Sequence, residues 1–409
     1  MDTKQRKTLV FGATLFTATV LSLVYLPGLL ASSPAQLPAN PPEMTAIPEQ
    51  PNAEQAIVEA VFVLDTTGSM GGLIQAAQEK IWSIAATMAS AEPAPEIRMG
   101  LVAYRDRGDA FVTKVVDLSS DLDALHAELF QLQAQGGGDG PESVNQALNE
   151  AVSMISWGQD RDAYRVIFLV GDAPPHMDYQ DDVPYTETLT LARQRGIRVN
   201  AIQCGGDRQT LRTWQRIAQL GDGAYAQVTQ DGNAVAIATP YDDTLARLSK
   251  KLDATRLYYG RAEERAERRE RLAKSKAALD AAPAAVLARR ATYAASASGK
   301  TAILGESELV EEVSSGAVAL DEIAPGALPE PLQGLREVEQ RQVIAERAEL
   351  RAKLQEEIEQ TAAKRSAYLR EKVAERGDFE ESLDHKLFDA VREQARASGL
   401  RYDADSATY

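Results

Sequence analysis

The apolar run Ala60-Val61-Phe62-Val63-Leu64, followed at once by Asp65-Thr66-Thr67-Gly68-Ser69-Met70, constrains the fold more than any other feature of the chain. Its β-branched and aromatic side chains, apolar at consecutive positions, predict a strand buried on both faces, as in parallel sheets. Gly68 lets the backbone turn sharply where the strand ends. The carboxylate and hydroxyls at alternate positions 65, 67 and 69 therefore stand at a strand's carboxyl end, the ligand-binding edge of an open α/β sheet. Hard oxygen donors so spaced suit a hard cation such as Mg²⁺. The same residues also suit a helix N-cap ahead of Leu73, Ile74 and Ala77, and the segment alone supports either reading.

The pattern continues downstream. Strands are predicted at 57–64, 97–104, 111–117, 164–171, 197–203 and 223–228, and helices near 71–89, 121–134, 141–157, 184–195, 207–219 and 241–259. Strand and helix alternate as in an α/β, doubly wound, mostly parallel six-stranded sheet. A second apolar run, Val166-Ile167-Phe168-Leu169-Val170-Gly171, ends in Asp172, and between the two lies Gly136-Gly137-Gly138-Asp139-Gly140-Pro141-Glu142-Ser143. Asp65, Asp139, Glu142 and Asp172 would gather like charges at one sheet edge, which is costly unless a cation offsets them.

Asp-x-Thr-x-Ser, the middle loop and the later strand-end Asp, in this order, resemble the metal-ion-dependent adhesion site of von Willebrand factor type A domains. The resemblance covers about residues 55 to 256. Most such domains place a Thr in the middle loop; here Asp139-Gly140-Pro141-Glu142 is similar to the integrin beta-subunit variant, in which a Glu takes the third ligand position. The resemblance implies that Thr67 and Ser69 bind the ion directly and that Asp65 and Asp172 act mainly through water. It gives Glu142 or Asp139 as a further ligand, and Asp106, Asp139 and Glu142 as an adjacent second cation site. It also implies an antiparallel third strand. The implied ion is Mg²⁺, or Mn²⁺ or Ca²⁺, with one open coordination position for an Asp or Glu of a protein or peptide partner. The loop Pro174 to Asp182, with His176 and Tyr179, is placed to contact that partner.

Composition narrows the partners. A formal charge of -16 over 409 residues disfavours nucleic acid. The single cysteine, Cys204, excludes an internal disulfide and sits on an apolar strand as core. Lys4, Arg6 and Lys7 precede an apolar stretch from Leu9 to Leu30, so residues 1–33 read as a signal peptide or an N-terminal membrane anchor. Export to the periplasm or cell surface follows, with membrane contact only through this segment. Residues 34–54 are a Pro-rich linker and 55–256 the type A domain.

Beyond it the texture turns to Ala, Glu and Arg. Residues 257–332 read as an Ala-rich helical and linker region and 333–409 as a charged helical region, loose after Leu400. From Leu335 to Arg376 an apolar stripe of Leu350, Leu354, Ile358, Ala362, Leu369 and Val373 is available to dock on its own chain, to self-associate as a coiled coil, or to receive a partner helix. Arg107-Gly108-Asp109 reads as ordinary loop chemistry, and Gly299-Lys300-Thr301 lacks the first Gly and the preceding strand of a phosphate loop. No HExxH, GxSxG or Cys cluster is present. The expected function is a non-enzymatic, metal-dependent protein-binding module of the cell envelope; a metal-dependent hydrolase and a structural envelope protein with a stabilising metal are the alternatives.

Overall fold

The computed structural model describes residues 56–402 except 139, 161, 231–236 and 377–382. The leader and linker expectations for 1–33 and 34–54 lie outside the described residues, as does the tail after Tyr402. Six strands, β1 (Ile57–Asp65), β2 (Glu96–Tyr104), β3 (Thr113–Ser119), β4 (Tyr164–Gly171), β5 (Ile197–Cys204) and β6 (Tyr225–Val228), form one sheet in the order β3-β2-β1-β4-β5-β6. β3 runs antiparallel to β2 and every other pair is parallel, as expected.

Alternation along the strands divides the core into two layers. Val61, Val63, Val102, Ile167, Leu169, Val199 and Ala201 face α3 (Val144–Ser153), α4 (Tyr185–Gln194) and α5 (Arg208–Leu220). Val58, Ala60, Leu64, Met99, Leu101, Val166, Phe168 and Val170 face the other way, onto α1 (Gly71–Met88), α2 (Leu122–Phe130) and α6 (Asp242–Asp253). Both faces are buried, which is why the strand sequences are continuously apolar. Side-chain caps start two of the helices: Asp121 Oδ1 accepts from Ala124 N at 3.0 Å and Asp207 Oδ1 from Thr210 N at 2.7 Å.

The helical region that follows joins the second layer. It comprises α7 (Ala262–Ala281), α8 (Ala284–Ala295), α9 (Ala297–Ala302), α10 (Leu309–Ser314), α11 (Glu337–Arg376) and α12 (Leu383–Gln394). α8 packs on α1 and α6, α11 packs on α6, α8 and α10, and α12 packs on α1. Leu354, Ile358, Ala362, Leu369 and Val373 are buried there, so the stripe of α11 docks on its own chain and is not open as a coiled-coil seam. Leu350, expected in that stripe, is half exposed.

Three buried arginines pin this docking. Arg290 of α8 donates to both oxygens of Asp123 at 2.6 Å and to Asp253 at 2.9 and 3.1 Å. Arg351 of α11 donates to Glu308 at 2.8 Å, and Arg365 to Asp242 at 2.9 Å. Farther along, Gln394 donates to Asn200 Oδ1 at 2.7 Å and accepts from Tyr164 Oη at 2.9 Å, while Arg401 pairs backbone with Glu92. Leu400 and Tyr402 are buried, so the chain is still docked at positions expected to be loose. Lys300, in the stretch similar to a phosphate loop, is paired with Glu359 at 2.5 Å. Among the described residues no helix is long and apolar enough to cross a membrane.

Candidate metal centre

β1 and β4 are adjacent in the sheet, β1 leading to β2 on one side and β4 to β5 on the other. This reversal of strand order opens a crevice at the strands' carboxyl ends, where ligands of α/β sheets bind. Asp65 ends β1 and Asp172 follows β4, so the topology alone places both carboxylates at the crevice.

The alternation expected of the first loop is what the structure shows. Thr66 turns to β2, its amide and hydroxyl both donating to Tyr104 O, at 2.8 and 2.9 Å. Asp65 Oδ1 accepts from Thr67 N at 2.9 Å and from Thr67 Oγ1 at 2.7 Å. The Thr67 proton is thus committed to Asp65, which leaves the hydroxyl's lone pairs for a cation. Ser69 Oγ lies 3.4 Å from Thr67 Oγ1.

The Gly-rich middle loop is laced to this turn: Gly68 N donates to Gly136 O at 3.1 Å and Gln135 N to Thr66 O at 3.1 Å. Gly137 has φ +75°, and a Cβ there would stand 2.9 Å from Glu142 Oε1 and 3.0 Å from Thr67 Cβ. Only glycine allows the loop to pass this close. Glu142 is pinned through its backbone, its N donating to Pro174 O at 2.9 Å and its O accepting from His176 N at 3.0 Å. Thr67, Ser69, Glu142 and Asp172 line one open cleft of about 600 Å³. Asp139 lies outside the described residues.

The electrostatics are those of a carboxyl cluster that no cationic side chain compensates among the described residues. Asp65 Oδ2 and Glu142 Oε2 are buried and complete no hydrogen bond among the described residues. Burial, joined by the charge of Asp172, pushes the Asp65 carboxyl up to about 7, although the Thr67 bonds and the Asp172 amide pull it down. Burial and then the charges of Asp65, Asp106, Asp109 and Asp172 push Glu142 up to about 9. Among the described residues no three His, Cys, Asp or Glu side chains converge as a ready-made ligand set. The donors that do converge are hydroxyls plus carboxylate oxygens with unused lone pairs, a hard-oxygen set that fits Mg²⁺ or Mn²⁺.

Asp106 is differently placed. Its Oδ1 accepts from Ser143 Oγ at 2.9 Å and its Oδ2 from Tyr179 Oη at 3.0 Å, and His176 Nε2 lies 3.4 Å from Oδ2. His176 Nδ1 meets Asp178 at 2.8 Å, and its ring stacks on Tyr179 at 4.1 Å. The two loop residues expected to face a partner therefore also brace Asp106. Arg107 pairs with Asp181 and Asp182 and covers the Tyr179 ring, while Asp109 accepts from Gly137 N at 3.0 Å. The Arg-Gly-Asp tripeptide is thus engaged internally. Gln230, not singled out from sequence, donates to Asp172 Oδ2 at 2.5 Å and to Ser69 O at 3.3 Å; Thr210 Oγ1 holds Asp172 O at 3.0 Å.

Residues 59–240 match the family model of the von Willebrand factor A domain. The chain carries a von Willebrand factor A domain. It is 30% identical over 200 residues to von Willebrand factor A domain-containing protein 7 of Rattus norvegicus, covering 46% of this chain and 21% of that protein. A putative ariadne-like RING finger protein R811 of Acanthamoeba polyphaga mimivirus is 30% identical over 122 residues, 30% of this chain and 12% of that one. The chain thus spans between 12% and 21% of the length of these relatives. Among solved structures, the SpRpn10 VWA domain aligns with a TM-score of 0.33 at 13% identity, over 42% of this chain and 87% of that one.

Proposed function

We propose that the A domain is a metal-dependent protein-binding module in which a divalent cation, held at the crevice between β1 and β4, captures an acidic side chain of a partner. The observation that carries this reading is the pair of buried carboxylate oxygens, Asp65 Oδ2 and Glu142 Oε2, that complete no hydrogen bond among the described residues beside the hydroxyls of Thr67 and Ser69. Buried polar atoms are nearly always satisfied, and anionic ones left open together invite a cation. Thr67 and Ser69 would hold the ion, with Asp65, Glu142 and Asp172 balancing its charge. The ion supplies Lewis acidity toward an incoming carboxylate. The chain's own part is to keep the hydroxyl lone pairs outward, through the Thr67–Asp65 bond, and to leave the cleft open.

A binding role is favoured over hydrolysis because His176, the imidazole nearest the cleft, has one ring nitrogen on Asp178 and the other facing Asp106, an arrangement that braces a loop. In capture from an envelope extract, the immobilised chain should retain protein in Mg²⁺ and release it in chelator. Thr67→Ala should weaken Mn²⁺ binding by roughly ten- to a hundredfold, the range seen when a metal site loses a supporting group. Equal capture in chelator, with Thr67→Ala behaving as the parent, would reject the reading.

A further inference from the structure

Beneath the candidate ion, one row of the sheet holds a group that the cation reading does not use. Asp65 and Tyr104 are register partners in the parallel β1–β2 pair, so their side chains leave the same face. On the other side of β1, Leu64 pairs with Val170, which places Gly171 next along that row. Tyr104 is fully buried, and its hydroxyl completes no hydrogen bond among the described residues. The ring reaches past Asp65: a Cβ added to Gly171 would stand 2.5 Å from Tyr104 Oη and 3.1 Å from Asp65 Oδ2. The hydroxyl and the open carboxylate oxygen therefore converge on the space that glycine leaves.

A buried hydroxyl without a bond costs stability, whereas a phenylalanine of the same shape would not. Something must therefore favour the oxygen at this position. Resting on the reading that this crevice holds a cation, we propose that Tyr104 is a positioning residue for the site: its hydroxyl donates toward Asp65 Oδ2 across the Gly171 notch and fixes the carboxylate beneath the ion. Gly171 is glycine because the hydroxyl occupies the room a side chain would take. Donors behind metal-facing carboxylates set their orientation, and such bonds tighten when the site is loaded.

The test uses the full chain, calorimetric titration with Mn²⁺, and thermal melts in chelator. Tyr104→Phe should weaken Mn²⁺ binding about tenfold, with the melting temperature in chelator unchanged or raised. Gly171→Ala should lower that melting temperature with Tyr104 present and lower it less in the Tyr104→Phe background, since the shortest contact, 2.5 Å, is with the hydroxyl while Asp65 Cβ at 3.0 Å stays in both. Parental Mn²⁺ affinity in Tyr104→Phe, or a loss of affinity matched by a lower melting temperature in chelator, overturns the assignment, as does an equal cost of Gly171→Ala in both backgrounds. If the parent chain itself takes no Mn²⁺, the cation reading falls, and this assignment with it.

Discussion

Two groups of buried and half-buried carboxylates sit in this molecule under opposite conditions. Where the helical region docks, Asp123, Asp242, Asp253 and Glu308 each meet a buried arginine, Arg290, Arg351 or Arg365, at 2.6 to 3.1 Å. At the crevice, Asp65, Glu142 and Asp172 gather with no arginine bonded to them among the described residues, and two of their oxygens complete no bond there. A carboxylate that only holds structure is neutralised from within the chain, because an unpaired buried charge is expensive. On the proposed reading, one left uncompensated marks a place where the positive charge comes from outside. That is the physical basis for distinguishing a scaffold acid from a site acid here, and it needs no motif.

Breaking the paired group should have the largest effect. Arg290→Ala removes the bidentate partner of buried Asp123, leaving only Arg256 nearby at 3.8 Å, and should cost about 3–5 kcal/mol in urea unfolding; a loss below about 1 kcal/mol would dissolve the contrast between the groups. The open group should respond with the opposite sign. In chelator Glu142→Gln removes a repelled carboxyl and should stabilise the chain by about 1 kcal/mol, screening at the open cleft included, while reducing Mn²⁺ affinity. Destabilisation in chelator would mean that Glu142 is already compensated.

The smallest effect is expected beside the paired group. His126 packs against Trp82 and Phe130, and burial holds its imidazole below the ordinary value, aided by the Arg290 charge and opposed by Asp123. A lowered folded value means that the unfolded chain binds the proton more readily. The His126 contribution is therefore complete above the ordinary imidazole value, about pH 6.5, and declines as pH falls. Between pH 7.5 and 5.5 the parent should lose more stability than His126→Phe in chelator melts; parallel losses would remove His126 from the account.

The sheet and the first loop were legible because their signals are local. Apolar runs mark strands buried on both faces, and positions 65, 67 and 69 share one side of the turn by spacing alone. Asp172 was legible for the same reason, as the residue after a second such run. Tyr104 and Gln230 were not: the hydroxyl of Tyr104 matters through its register with Asp65 and the missing side chain of Gly171, and Gln230 reaches Asp172 only because β6 lies beyond β5. Asp106 was legible as an acid near the site, but its bonds to Ser143 and Tyr179 depend on loops that sequence does not bring together. The α11 stripe told that a face would be buried without telling against what, since a 3.6-residue period carries no information about the opposing surface.

The hydrogen bonds of Gln394 set a timetable. They reach Asn200 and Tyr164 across 194 and 230 residues, so every strand of the sheet has been synthesised long before the residue that caps this part of it. Contacts so distant along the chain form late and slowly, after the loop between them has been closed. A nascent chain carrying β1 to β6 but not α12 holds an incomplete layer, with Leu387, Phe388 and Val391 still to arrive over it. The layer over α1 is therefore complete only once the helical region has docked, and a protein ending at Asp253 would leave that face of the sheet's helices uncovered.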